Sequence, residues 1–138
     1  MNHPYQYIGF FPEPESFYQL VDGLRSRKLH RQITFPHVTV LYMPEDALQA
    51  LFGTEAEITV TGYGCDGKNE GLEVTLQCAD PVLQDLIRQI PVPHITLSVS
   101  RSGKPVNTRY LLFSPVEPIT FRAVFGGFLD GTGPDTTP

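Results

Sequence analysis

The sequence contains no tryptophan, only two cysteines and no long apolar run, and each absence excludes a class of protein. No stretch approaches the eighteen or so apolar residues of a membrane-spanning helix, so we expect no membrane association. The N-terminal residues lack a basic segment that leads into an apolar one, as a secretory signal would require. With 138 residues and 41% hydrophobic content, the chain fits one globular domain with its own core.

The two cysteines, Cys65 and Cys78, form neither a disulfide framework nor a zinc site. They belong to a predicted hairpin of residues 56–65 and 71–78, in which they lie at opposite ends, roughly 20 Å apart. A disulfide requires Cα atoms within about 7 Å of each other. Free thiols are typical of a reducing compartment, so we predict a cytoplasmic protein. We expect no metal and no other cofactor, because ligand-spaced clusters of Cys, His or acidic residues are absent.

Basic residues are also scarce. Ten Lys and Arg stand against fifteen Asp and Glu, which gives a net charge of −5 and a pI near 5.2. A protein that clamps long duplex nucleic acid needs many cations against the phosphates, so we expect no such partner. A small nucleotide, a cyclic oligonucleotide or the end of an RNA strand remains compatible with this charge. We expect the protein to act as a monomer.

One short pattern is written twice in the chain. Residues 35–40, FPHVTV, return as residues 92–97, VPHITL. Both copies are rich in β-branched residues and alternate with a period of two, which predicts a strand in each case. A single copy would carry little weight, since any strand can contain such a tetrapeptide. Two copies, each opened by a proline and each preceded by a predicted strand and helix, indicate an internal repeat.

The repeat places an imidazole and a hydroxyl together on each of two strands. Residues two apart on a strand share a face, so His37 points with Thr39, and His94 points with Thr96. Taken singly, a strand histidine is more often structural, and threonine is a common strand former. Near neutral pH, however, one imidazole can accept a proton while another donates one. The matched pair therefore favours catalysis, with the two threonines contacting a phosphate and either histidine as the acid.

These motifs resemble those of the 2H phosphoesterase superfamily, whose members carry two His-x-Thr/Ser motifs, one in each half of the fold. The resemblance rests on residues 36–40 and 93–97 and on the order of strands and helices around them, and it covers most of the chain. It implies an α+β fold in which two pseudo-symmetric lobes of antiparallel sheet, with helices on their outer faces, enclose a central cleft.

The resemblance also implies a function. We expect a metal-independent phosphodiesterase that hydrolyses a cyclic or 2′-linked nucleotide phosphodiester by two-histidine general acid–base catalysis. Substrates of this class are 2′,3′-cyclic phosphates at RNA ends, 2′–5′ linkages, ADP-ribose cyclic phosphates and cyclic oligonucleotides. One alternative is a non-catalytic module that binds a nucleotide or an RNA end on the same fold. Another is a two-lobed structural protein that binds a partner.

The predicted elements repeat in the same order. The first half contains strand 5–11, helix 14–29, motif strand 33–43 and strand 56–65, and the second contains strand 71–78, helix 80–90, motif strand 93–100 and strand 118–129. A short helix at 44–52 and a strand at 106–113 lie between these elements. The repeat predicts a single domain at residues 1–130, with lobes at about 1–65 and 71–130. Residues 131–138 are expected to form a flexible tail.

Four further residues are candidates for substrate binding. Tyr7 either stacks on a base from the groove or packs between the lobes. Ser98 continues the polar face of the second motif strand beyond its threonine. Arg101 or Arg122 could neutralise phosphate charge, and the sequence does not choose between them. The basic residues near 25–31 are interpreted as a solvated helix end or, alternatively, as a phosphate-binding patch.

Overall fold

Within residues 3–138, a computed structural model contains eight antiparallel strands, two α-helices and three short 3₁₀ helices, an α+β structure. Residues 1 and 2 lie outside the described part of the chain. They begin the N-terminal segment for which the sequence predicts no secretory signal. The strands are β1 Tyr7–Phe11, β2 Arg31–Gln32, β3 Val38–Tyr42, β4 Glu55–Cys65, β5 Asn69–Gln77, β6 His94–Val99, β7 Ser114–Leu129 and β8 Gly133–Asp135. The helices are α1 Pro14–Val21 and α2 Pro81–Arg88, with 3₁₀ helices at Asp22–Leu24, Gln49–Leu51 and Pro105–Tyr110.

The strands form one open sheet in the order β2-β6-β5-β4-β7-β1-β3, and β8 pairs with β7. The two predicted halves are interleaved in this sheet. Strand β4, the last strand of the first half, pairs with β5, and β7, the last strand of the second half, pairs with β1. The order is symmetrical about the central β4–β7 pair, so that β1 matches β5 and β3 matches β6.

One face of the sheet packs with the two helices to form the core. The residues that alternation places on this face are all buried: Val38, Val40, Leu72, Val74, Ile95, Leu97 and Phe121. Phe17 of α1 meets Phe121 edge-on, with 5.1 Å between ring centroids. Leu83 and Ile87 provide the buried side of α2. The predicted alternation is confirmed, and the opposite face of the sheet carries both histidines.

Helix α1 begins as predicted but ends early. Proline occupies its first turn, and the Glu13 carboxylate accepts a hydrogen bond from the Ser16 N–H at 3.0 Å, which caps the helix. The predicted helix at 14–29 is too long, because the α-helix ends at Val21 and is followed by one 3₁₀ turn. The chain then leaves the helical path, and the side chain of Arg25 enters the protein.

Two insertions also differ from the prediction. The strand predicted at 106–113 is wrong: this segment begins with a 3₁₀ helix whose Thr108 is fully buried against the sheet. The side chains of Asn69 and Thr96 on the sheet form hydrogen bonds with residues 104–108, so this segment is held without the backbone pairing of a strand. The helix predicted at 44–52 is reduced to one 3₁₀ turn, because Leu48 adopts a left-handed φ of 56° at its start.

The C-terminal segment is ordered rather than a flexible tail. Strand β8 pairs with the end of β7, and the Tyr5 hydroxyl donates a hydrogen bond of 2.6 Å to the Asp135 carboxylate. Gly133 is buried against the ring of Phe35. The polar composition of residues 131–138 concealed these contacts, because they use backbone pairing and one carboxylate instead of apolar side chains.

Among the described residues, no helix is both long enough and apolar enough to cross a membrane. Cys65 and Cys78 are free thiols, as predicted.

A buried ion pair joins the segment after α1 to the sheet. The Arg25 guanidinium donates to both oxygens of the Glu70 carboxylate, at 2.9 and 2.6 Å, and the two side chains are 1% and 0% exposed. The hydroxyls of Tyr63 and Ser98 donate to the same carboxylate at 2.8 and 2.6 Å. A solvated helix end at residues 25–31 is therefore the wrong interpretation for Arg25.

This pair fixes the chain shortly before the first motif. Beyond Arg25, β2 pairs with β6, and the Ile33 N–H donates to the Leu97 carbonyl at 2.8 Å. The Tyr18 hydroxyl of α1 donates to the Ile33 carbonyl. Strand β3 thus starts beside β6, and the two strands are in contact although they are distant in the order of the sheet.

We expect Arg25→Ala to lower the free energy of unfolding by about 3–5 kcal/mol, because it leaves the Glu70 carboxylate buried without its cation. Urea denaturation of the purified variant measures this loss. Lys28→Ala is the matched control, since its ion pair with Asp22 is 3.0 Å long but 59% and 57% exposed, and it should leave stability almost unchanged. Similar small losses in both variants would contradict a structural role for the buried pair.

Candidate active site

The two histidines have the same tautomer, set by the same local contact. In each motif the residue before the histidine is a proline, and the ring Nδ1 lies against the backbone carbonyl two residues back. The distance from His37 to the Phe35 carbonyl is 2.9 Å, and that from His94 to the Val92 carbonyl is 2.8 Å. A carbonyl only accepts, so Nδ1 carries the proton in both rings. The lone pair of each neutral imidazole is therefore on Nε2.

The two motif threonines also occupy matching positions in the sheet. Thr39 lies opposite Gly9, and Thr96 lies opposite Gly71. In both strands the next residue is left unpaired by a one-residue bulge. The same register, glycine and bulge on both sides show that the internal repeat extends from the motifs to the strands beside them.

The two glycines are required by close approach of the backbone. A Cβ at Gly9 would overlap the Val38 carbonyl oxygen, and a Cβ at Gly71 would lie 2.8 Å from the Ile95 carbonyl oxygen. These carbonyls occupy equivalent places, directly between histidine and threonine in each motif. The glycines thus let each motif strand pack tightly against its neighbour.

The His37 ring lies in an aromatic cluster. Its centroid is 4.5 Å from that of Tyr7, in a stacked arrangement, and 5.6 Å from that of Phe11. Tyr7 in turn stacks on Phe128 at 4.9 Å. The pKa of His37 is lowered to about 4, mainly by burial among these rings and to a smaller extent by the charge of His94, while the hydrogen bond to the Phe35 carbonyl acts in the opposite direction. His37 is nevertheless only partly buried by its accessible surface.

His94 is partly buried as well, but its neighbours are polar. Glu73 lies directly opposite on β5. The pKa of His94 is lowered, first by burial and then by the positive charge of Arg109, while the bond to the Val92 carbonyl acts in the opposite direction. A positive charge thus acts on each histidine: that of His94 lowers the pKa of His37, and that of Arg109 lowers the pKa of His94.

The threonines differ in availability. Thr39 is partly exposed, and its hydroxyl has no hydrogen-bond partner within residues 3–138. Thr96 as a residue is 7% exposed, and its hydroxyl lies 3.1 Å from the Pro105 carbonyl and 2.8 Å from the Thr108 hydroxyl. Asn69 donates to Thr108 at 3.0 Å. Direct phosphate contact by Thr96 is thus contradicted, since its hydroxyl is already bonded under the 3₁₀ helix.

The predicted substrate-binding residues are not all near the histidines. Ser98 is fully buried and its hydroxyl bonds to Glu70, so its predicted contact with substrate is wrong. Arg101 follows the end of β6 distant from His94. Arg122 is exposed on β7, opposite Glu57. Tyr7 is beside His37: it packs against the ring, and its hydroxyl oxygen lies 3.3 Å from Nδ1, from which it can accept a hydrogen bond.

Three residues at the site were missed by the sequence analysis. Gly9 and Gly71 left a partial signal: Gly9 lies inside the predicted strand 5–11, in Tyr-Ile-Gly-Phe, whereas Gly71 is the first residue of the predicted strand 71–78, in Asn-Glu-Gly-Leu. Arg109 left none, because its segment was predicted to be a strand at some distance from the motifs.

In residues 3–138, no group of three or more His, Cys, Asp or Glu side chains could hold a metal ion. No protein-family model matches the sequence, and a search of curated proteins finds no match.

We expect Gly9→Ala to destabilise the protein by about 2 kcal/mol or more, because the methyl group would push β1 away from the first motif strand. Gly71→Ala should behave in the same way at the second motif. Gly23→Ala is the matched control, since a Cβ there has no neighbour within 4 Å. Thermal unfolding compares the three variants, and a Gly9→Ala protein as stable as Gly23→Ala would contradict the close approach.

Proposed function

We propose that this protein is a metal-independent phosphodiesterase of the 2H type, acting on a cyclic or 2′-linked nucleotide phosphodiester. One observation carries the proposal: two histidines in duplicated backbone settings each keep Nε2 free, and the charge of His94 is close enough to contribute to the lowered pKa of His37. A structural histidine needs no second copy with the same tautomer, the same opposing glycine and the same bulge. The interleaved, symmetrical strand order supports the pseudo-symmetric two-lobed fold expected of this family.

The proton transfers follow from the two rings. For a cyclic phosphodiester, the Nε2 atom of one neutral histidine accepts a proton from water, and the water oxygen forms a bond to phosphorus. The bond from phosphorus to the ribose oxygen breaks, and the other histidine gives its Nε2 proton to that oxygen. Exchange of one proton with solvent then restores the starting state.

The surroundings of the rings suggest which one is the base. Two nearby imidazoles share the first proton, and the second proton binds at lower pH. His37 is the harder ring to protonate, with a pKa lowered to about 4. At mildly acidic pH the singly protonated pair therefore has a neutral His37 and a protonated His94. We assign His37 as the general base and His94 as the general acid.

Charge on the phosphate would be balanced by two groups. The free Thr39 hydroxyl is available to donate to a non-bridging oxygen, and the Arg109 guanidinium provides positive charge near His94. Thr96 acts as a positioning residue, since it anchors the segment that carries Arg109. Substrates compatible with this site are 2′,3′-cyclic phosphates, 2′–5′ linkages and cyclic oligonucleotides.

We expect His37→Ala and His94→Ala each to reduce kcat/KM by about 10²–10⁴-fold, because each removes one proton transfer. Activity is measured on a panel of 2′,3′-cyclic mononucleotides, 2′–5′ dinucleotides and cyclic oligonucleotides. His3→Ala is the control, because His3 bonds to the Pro44 carbonyl away from the site. A wild-type protein inert on the whole panel, or a His94→Ala variant as fast as the wild type, would contradict the proposed phosphodiesterase function.

The alternative is a nucleotide-binding module without turnover. The burial of Thr96 favours it, since one of the two threonine hydroxyls expected to contact phosphate is withdrawn from the surface. The two functions are separated by incubating the protein with a cyclic nucleotide that it binds and analysing the mixture for the ring-opened product. Tight binding with unchanged ligand would establish the module and exclude the enzyme.

The pH dependence of kcat/KM should be bell-shaped, with its maximum between about pH 4 and pH 6.5. The acidic limb reports His37, which must be neutral, and the alkaline limb reports His94, which must be protonated and whose pKa lies below the ordinary 6.5. Arg109→Gln removes a positive charge beside His94 and should move the alkaline limb to higher pH. A maximum above pH 7 in the wild type, or an unmoved limb in the variant, would contradict the assignment.

A further inference from the structure

Positive charge is concentrated at one end of the sheet, although the net charge of the chain is −5. At this end the β4–β5 turn, strand β2 and the segment after β6 meet: Arg31 pairs with Val99, and the Ser100 N–H donates to the Lys68 carbonyl at 2.9 Å. Four of the ten Lys and Arg residues belong to these segments, and two more lie shortly before β2: Arg31, Lys68, Arg101 and Lys104, with Arg27 and Lys28. The average charge of the chain therefore hides a basic end.

A surface cavity of about 460 Å³ opens in this basic end. Cationic, imidazole and hydroxyl side chains line it: Arg27, Lys28, Arg101, His30, Ser100 and Ser102. Guanidinium groups and hydroxyls are donors that match phosphate oxygens. A cavity of this size is large enough for a phosphorylated ligand.

The cations in the cavity are held close together by the fold. The Arg27 N–H donates to the Tyr63 hydroxyl at 3.3 Å, and the Leu29 N–H donates to the Ser98 hydroxyl at 2.9 Å. Within residues 3–138, neither Arg27 nor Arg101 forms a salt bridge. Because Arg27 and Arg101 line the same cavity, their like charges repel each other, and a bound anion would reduce this repulsion.

Two nearby carboxylates already have partners, and one of these partners is Lys28 of the cavity itself. Asp66 accepts the backbone N–H groups of Lys68 and Asn69 at 2.9 and 2.8 Å, within the β4–β5 turn. Asp22 pairs only with Lys28, at 3.0 Å and in contact with solvent. The guanidinium groups of the cavity thus remain available to a ligand.

We propose that this cavity binds phosphate groups of a single-stranded RNA at some distance from the phosphodiester that the histidines cleave. The inference rests on the proposed function, which identifies the strand. Strand β6 runs from His94 to Val99, so the cavity lies roughly 17–20 Å from His94 at about 3.3 Å per residue. A mononucleotide at the histidines does not reach it, whereas a strand of several nucleotides does. The preferred substrate is then an RNA end with a cyclic phosphate, with its 5′ nucleotides in the cavity.

The first test measures binding without turnover. A fluorescent single-stranded RNA of about eight nucleotides, ending in a 3′-hydroxyl, is titrated into the His37→Ala/His94→Ala protein at several salt concentrations. We expect Arg27→Glu and Arg101→Glu, added singly, to weaken binding at least tenfold and each to reduce the salt slope by about 0.7. Arg88→Glu makes the same charge change on α2, outside the cavity, and should alter binding less than twofold. Thermal unfolding checks that each variant is folded.

The outcomes separate the proposals. Equal weakening by all three charge reversals, or no RNA binding at all, would overturn the cavity as a strand site. Binding of inorganic phosphate or AMP as tight as that of the RNA would assign the cavity to a free anion and likewise overturn it. A second test uses catalysis: the Arg27→Glu variant should lose activity on RNA with a terminal cyclic phosphate but keep it on a cyclic mononucleotide. If no substrate is turned over, but Arg27→Glu and Arg101→Glu still weaken RNA binding while Arg88→Glu does not, the proposed catalytic function fails and the assignment of the cavity to RNA binding stands.

Discussion

The bond between Arg25 and Glu70 is the constraint on which the arrangement of the site depends. Arg25 precedes the first motif, and Glu70 lies on β5, next to the second. A buried ion pair adds little net stability compared with apolar packing, but it penalises every arrangement that separates the charges. Because Tyr63 and Ser98 also donate to the carboxylate, the segment before β3 has one position in which all these groups are satisfied. That position brings the two motif strands together.

The features that depend on neighbouring residues in the sequence were predicted correctly. The two motifs, the alternation of buried residues and the start of α1 depend on neighbours within a few residues, and all could be read from the chain. The partner of Arg25 could not, since it lies 45 residues away and a basic helix end is ordinarily solvated. The roles of Thr96 and Arg109 depend on a 3₁₀ helix that crosses the sheet face, and its sequence alternates enough to suggest a strand.

The repeat has diverged through what covers each motif. The backbone frame is shared, with glycine opposite threonine and a bulge beyond it. Around the first motif, Tyr7 and Phe128 form an aromatic cover that leaves Thr39 accessible. Around the second, the 3₁₀ helix covers Thr96 and adds positive charge. One frame thus holds two imidazoles in different environments, which is the condition for unlike roles in acid–base chemistry.

The last strand of each half pairs with the first strand of the other half, β4 with β5 and β7 with β1, and this pairing limits how the chain can be divided. A cut in the turn at Asp66–Gly67 would separate the repeats in sequence but would leave β5 and β1 each without a neighbour supplied by the other fragment. Neither fragment could complete its own sheet, and their unpaired strand edges would be complementary. The two halves of the repeat therefore depend on each other for strand pairing, and the folding unit is the whole sheet.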